Sequence, residues 1–201
     1  MGQDQPDGTL CVHIQFSHCP ENDEIYGTDV YQELDPSDQH IRLLQALKPD
    51  KSDPGGLLRF TMAQRLPISE CKAGEGAKYP FIALSYCAGS PYDFVPIWVD
   101  GKQFNVFRGL YLALHSPLHH LGRKRTTRSS NPPLWIWADQ ICINQSDDAE
   151  KTQQVLTMRD IYESCAWAYS WLGLTSQVSE GLHNVNKIDY VQQSIEKHYE
   201  D

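Results

Sequence analysis

Residues 134–173 read LWIWADQICINQSDDAEKTQQVLTMRDIYESCAWAYSWLG, and the order of patterns within them decides the fold. "LWIWAD" is a short, nearly unbroken apolar run, the mark of a strand covered on both faces. Beyond Asp147, the residues Met158, Ile161, Tyr162 and Cys165 share one helical face, with Val155 at its edge, and "AWAYSWLG" is a second apolar run. Strand, helix and strand with no hairpin between them is the pattern of a right-handed βαβ crossover. Asp147 and Glu150 stand at capping-box spacing, and an acidic first turn suits the helix dipole. The connection into that helix carries Asp139, Cys142, Asn144, Gln145, Asp147, Asp148 and Glu150. A loop that only joins two elements runs to about four to six residues of turn chemistry. This one reads as a site.

Working upstream, "YPFIALSY" (79–86) is another doubly covered strand, and "PIWVDGKQFNV" (96–106) is a hairpin turning on Asp100-Gly101. Phe107, Leu110, Tyr111, Leu114, Leu118 and Leu121 recur at helical spacing before the basic loop "GRKRTTRSSNPP". That loop has no interleaved aromatic residue, so it reads as a solvated surface rather than a nucleic-acid patch. "HIRLLQALKP" and "GGLLRFTMAQRL" are two short strands of an antiparallel element, and "TLCVHIQFS" (9–17) alternates like a half-buried strand. Downstream, Leu182, Val185, Ile188, Val191 and Ile195 mark one more amphipathic helix. The expected fold is α/β: a mainly parallel sheet flanked by helices, with a small N-terminal antiparallel β element.

Composition limits the function classes. With 40% apolar and 21% charged residues the chain is a soluble globular one rather than a disordered one. The net charge of −9 argues against nucleic acid as a partner. No stretch approaches the roughly 18 apolar residues of a membrane span, and "MGQDQPDGTL" lacks the basic and apolar regions of a signal peptide. A cytoplasmic location follows as the expectation. The six cysteines are scattered without a CxxC pair and read as reduced, mostly buried thiols.

In a parallel sheet, ligands gather beyond the carboxyl ends of the strands. Three candidate strands end at Ser85-Tyr86, at Asp139, and at Ser170 to Gly173, so neighbouring ends make one rim with the "QICINQSDD" loop on it. Glu150 lies at the edge of the helix's apolar arc, where it either projects into a cleft or simply caps the helix. Asp139 either lines the rim or caps a loop. Cys142 has no histidine near it in sequence, which favours a buried thiol over a nucleophile. Asn144 and Gln145 suit hydrogen bonds to loop backbone, with or without a ligand. Cys11, His13, His18 and Cys19 fit no common zinc spacing, and no metal site is assigned. Serine-hydrolase, Walker and dinucleotide glycine motifs are absent.

"YPFIALSYCAG", "LWIWADQICINQSDDAEKTQQVLTMRDIY" and "WAYSWLG", in this order and at this spacing, closely resemble the three blocks of the fungal heterokaryon-incompatibility (HET) domain. With "YQELDPSDQHIRLLQAL" resembling the family's lead-in, the resemblance covers residues 31–173. It leaves 1–30 as an N-terminal extension with a β strand and 174–201 as a helical tail packed on the same domain. Two positions depart from the family pattern. The first block usually ends Tyr-x-Trp-Gly and here ends Tyr86-Cys87-Ala88-Gly89, while the usual Trp-Ile-Asp-Ala appears as Trp137-Ala138-Asp139-Gln140.

The resemblance implies a role in non-self recognition that ends in programmed cell death, within either a stand-alone protein or a domain of a larger one. The family is also similar to TIR domains, which have a flavodoxin-like core and in some cases hydrolyse NAD with a glutamate. "FIALSY", "LWIWAD" and "AWAYSWLG" look like the first three TIR strands. By that topology the matching acid is Glu180, with Glu150 the other candidate, and Ser85, Tyr86, Asp139, Asn144 and Gln145 shape a pocket for NAD as substrate. No cofactor is required. The alternative is a non-enzymatic module that acts by self-association or by recruiting another protein. In that reading the four tryptophans 135, 137, 167 and 171 are core packing.

Overall fold

In a computed structural model of the chain, the structure describes residues 22, 25, 26, 30–35, 37, 39–47, 57–74, 76–90, 92–125 and 133–172. Among them, seven strands form one sheet: β1 His40–Ala46, β2 Arg59–Pro67, β3 Phe81–Tyr86, β4 Phe94–Val99, β5 Lys102–Phe107, β6 Trp135–Trp137 and β7 Trp167–Trp171. The helices are α1 Ile68–Cys71, α2 Arg108–Arg125, α3 Asp139–Cys142 and α4 Asp148–Ser164.

The strand order is β5-β4-β2-β1-β6-β3-β7. The expected crossover is present: α4 carries the chain from β6 to β7 across the intervening β3, and β3 pairs parallel with both. The Asp100-Gly101 hairpin also forms, with φ of 50° and 77° at its two central residues, the left-handed pair that this dipeptide accommodates. The expectation of a mainly parallel sheet needs correction. β1–β2, β1–β6 and β4–β5 are antiparallel, and the two longest of these ladders, β1–β2 and β4–β5, make the sheet mixed. The antiparallel β1–β2 pair is no separate element either. Ile41, Leu43 and Leu44 are all fully buried, so β1 presents apolar side chains to both faces and needs cover on both. It sits inside the sheet, hydrogen-bonded to β2 along one edge and to β6 along the other.

The core is built on the covered faces of Phe81 to Leu84, Ile136, Trp137 and Phe104, with Leu110 and Leu114 of α2 packed on it. Of the four tryptophans expected there, Trp137 is fully buried and meets the Tyr162 ring edge-on at 5.8 Å, whereas Trp167 is 49% exposed. The inward face of α4 also differs from the expected one. Gln154, Thr157, Ile161 and Ser164 are its buried residues, Met158, Tyr162 and Cys165 are half-buried, and Val155 is exposed. Polar residues can face inward here because backbone carbonyls receive them: Gln154 Nε2 donates to His40 O at 2.9 Å and Thr157 Oγ1 to Gln153 O at 2.9 Å.

Among the described residues no helix is long and apolar enough to cross a membrane. The strand expected at 9–17, the Cys11–Cys19 cluster, Glu180 and the helix expected from Leu182 to Ile195 lie outside the described residues.

Candidate functional site

β6 and β3 run parallel, so their carboxyl ends meet at one edge of the sheet, and there the Tyr86 hydroxyl donates to Asp139 Oδ1 at 2.6 Å. The same oxygen accepts the Gln140 backbone N–H at 2.7 Å. Ser85 is exposed beside them on β3. Burial, reinforced by the neighbouring Asp139 charge, pushes the Tyr86 phenol well above its usual value, so it remains a hydrogen-bond donor at neutral pH. Tyr162 is raised for the same two reasons in the same order and donates to Leu84 O at 2.9 Å. The rim is closed on one side by the first turn of α2. A Cβ on Gly109 would lie 1.9 Å from the Cys87 carbonyl oxygen, so only glycine lets that turn approach the loop after β3 this closely. Gln140, 2% exposed, links the same parts: its Oε1 accepts the Phe107 N–H at 3.2 Å, and its Nε2 is buried without a partner.

Beside the rim lies a buried ion pair. Arg42 of β1 is fully enclosed and grips Glu150 of α4 with both ends of its guanidinium, at 2.6 and 2.8 Å; the Glu150 side chain is 8% exposed. The remaining donors go to Gln64 Oε1 at 2.8 Å, Cys142 O at 3.2 Å and Gln32 O at 2.6 Å. All five N–H groups are therefore satisfied, the condition under which a buried arginine is tolerable. Glu150 Oε1 also accepts the Asn144 N–H at 2.7 Å. Tyr31 lies under the guanidinium, 5.0 Å from CZ to ring centroid, and donates to Ile141 O at 2.7 Å. One side-chain cluster thus pins the lead-in, β1, β2, the end of α3 with the turn after it, and α4 together.

The structure brings Tyr86 and Asp139 together as the sequence suggests, while Glu150 turns to Arg42. Asp147 caps α4 by accepting from the Ala149 and Glu150 N–H groups, both at 3.0 Å, but Glu150 does not return to Asp147 as a capping box requires. Gln145 Nε2 donates to Asp139 O at 3.0 Å, and Asn144 Oδ1 accepts from the Ser146 N–H and hydroxyl, so both amides brace the loop. Cys142 is buried, its thiol pushed up to about 12 chiefly by desolvation, which suits packing and not nucleophilic attack. No three metal-ligating side chains converge among the described residues. Sequence reasoning missed Arg42, Gln64 and Gln140. The available signal was Arg42 itself, a cation inside the apolar run "HIRLLQA", which demands a buried anion somewhere.

A family model described as heterokaryon incompatibility protein (HET) matches residues 81–201. The chain is also similar to "Heterokaryon incompatibility protein 6, OR allele" of Neurospora crassa, with 44% identity over 154 residues, 74% of this chain and 21% of the relative. The chain therefore spans about a fifth of that relative's length. No solved structure matches.

Proposed function

Because the chain belongs to the heterokaryon-incompatibility (HET) family, we propose that it acts in the cytoplasm as an effector of fungal non-self recognition, triggering programmed cell death by hydrolysing NAD at the rim of Ser85, Tyr86 and Asp139. The observation that carries the rim is the Tyr86–Asp139 hydrogen bond at the carboxyl end of parallel strands, where doubly wound sheets bind nucleotides. Within the parallel part, the order β6-β3-β7 places the first of the three strands in the middle, as in flavodoxin-like cores, and this supports the TIR-like comparison. In the reaction the bond between ribose C1′ and the nicotinamide nitrogen breaks, with its electron pair leaving on nicotinamide. Water adds to C1′ and gives up a proton. A carboxylate beside C1′ stabilises the oxocarbenium-like transition state. The TIR resemblance matches that role to Glu180, which lies outside the described residues. Glu150, with both oxygens on Arg42, braces the turn between α3, which begins at Asp139, and α4 by accepting the Asn144 N–H.

The Arg42–Glu150 pair also favours a second reading, in which the polar loop is purely architectural and the chain kills by self-association or partner recruitment. Nicotinamide release from NAD by the purified protein at high concentration, beside Glu180→Ala and Asp139→Asn, separates the two. Release by the wild type that either variant abolishes, without loss of folded protein, supports hydrolysis. Death on expression with no nicotinamide release leaves the interaction module.

A further inference from the structure

Asp139 is held at its backbone and at one carboxylate oxygen, and the other oxygen is left open. Its carbonyl accepts Gln145 Nε2 at 3.0 Å and the Ile143 N–H at 3.2 Å. Its side chain receives two donors, the Tyr86 hydroxyl at 2.6 Å and the Gln140 N–H at 2.7 Å, and both go to Oδ1. Both acceptor positions of that oxygen are then taken. Oδ2 accepts no hydrogen bond among the described residues, and it is not one of the buried polar atoms left without a partner, so it is open to solvent. The half-buried Asp139 therefore presents one acceptor oxygen at the rim.

Tyr86 decides which oxygen that is and where it points. The last torsion of an aspartate is broad and roughly two-fold, so a carboxylate held by one donor can rock and exchange its oxygens. The Gln140 N–H belongs to the next residue and moves with Asp139. Tyr86 belongs to β3, 53 positions away, and ties the carboxylate to the sheet. Its hydroxyl proton is spent on Oδ1, so it has none to give a ligand.

The open oxygen limits what it can receive. On a dinucleotide, a phosphate would meet like charge at a carboxylate. Among neutral donors, a hydroxyl makes the shorter and stronger bond to a carboxylate oxygen. The sugars carry such hydroxyls. Building on the nucleotide reading of the rim, we propose that Asp139 Oδ2 accepts a sugar hydroxyl of the dinucleotide, and that Tyr86 is a positioning residue that acts by holding Oδ1.

The test is calorimetric titration of the whole chain with ADP-ribose, which has no nicotinamide bond to break, and with an analogue whose two sugars lack their vicinal hydroxyls. The variants are Asp139→Asn and Tyr86→Phe. The wild type is expected to bind ADP-ribose about tenfold or more tightly than the analogue, and Asp139→Asn to erase that difference. Tyr86→Phe should narrow the difference about threefold or more while changing the analogue's affinity by less than about twofold. A Tyr86 that served only the fold would weaken both ligands equally, and that result would overturn its positioning role. Equal binding of the two ligands by the wild type, or no binding of ADP-ribose, would overturn the hydroxyl site. Nicotinamide release from NAD without the ligand difference would sink this inference and leave hydrolysis standing. The ligand difference without nicotinamide release would do the reverse. Should Asp139→Asn fail to fold, the wild type and Tyr86→Phe still decide.

Discussion

Removing one member of the Arg42–Glu150 pair strands the other charge where water does not reach. Glu150→Ala should therefore lower unfolding stability by about 3–5 kcal/mol, read from urea denaturation, while Arg42→Met combined with Glu150→Leu should recover most of the loss. A Glu150→Ala protein as stable as the wild type would mean that the pair is not closed in solution. The prediction also governs how function is read, since loss of killing in Glu150→Ala with loss of folded protein says nothing about catalysis. Part of this was legible at the level of single residues. The position of Glu150 at the edge of the helix's inward arc follows from 100° per residue, and its low exposure agrees. Its partner was not legible, because Arg42 is 108 positions away and no local pattern encodes a contact at that separation. The lone arginine among apolar neighbours signalled that a buried anion existed without saying which one.

At the scale of elements, the junction of α2 with the loop after β3 is the most sensitive joint of the rim. Gly109→Ala places a methyl group 1.9 Å from the Cys87 carbonyl oxygen, a backbone atom held between β3 and its turn, so the helix or the loop must move. Destabilisation of about 1–3 kcal/mol is expected, with changed Tyr86 and Asp139 resonances in NMR spectra as the local signature. An unperturbed spectrum would place the first turn of α2 further from the loop. The same joint bears the chain's departure from the family at Ala88, the residue after Cys87, where tryptophan is usual. Strand and helix identities here followed from sequence because each segment has a clear period: alternation or a doubly apolar run for strands, and 3.6 for α2. The inward face of α4 did not. Its buried row, Gln154, Thr157, Ile161 and Ser164, is mostly polar, and a hydrophobicity pattern cannot register residues buried for the hydrogen bonds they make to backbone.

For the molecule as a whole, the βαβ unit could be read from sequence because its three segments are contiguous and the crossover rule fixes how they pair. The place of β1 could not, since its pairing with β6 brings Leu44 beside Ile136, a contact between distant segments that no local pattern encodes. The resulting single core encloses several groups that must stay protonated, and this gives a global test. Cys71 and Cys142 are pushed up to about 12 by burial, and Tyr31 and Tyr86 are raised well above 10 for the same leading reason. Each has a folded pKa above its unfolded one, so the unfolded chain releases these protons first as the solution is made alkaline. Stability should thus be level up to the unfolded thiol value near 9 and fall steadily from there toward 12, because the folded state binds more protons throughout that window. The urea midpoint measured from pH 7 to 11 checks this, and the sequence's net charge of −9 supplies a competing cause, mutual repulsion that also grows with pH. Salt separates the two. Long-range repulsion is screened at high ionic strength, whereas the proton release of buried thiols and phenols is not, so the alkaline slope should survive salt. A slope that salt removes would assign the loss to surface charge and would mean that these residues are less enclosed in solution than their burial in the folded chain implies.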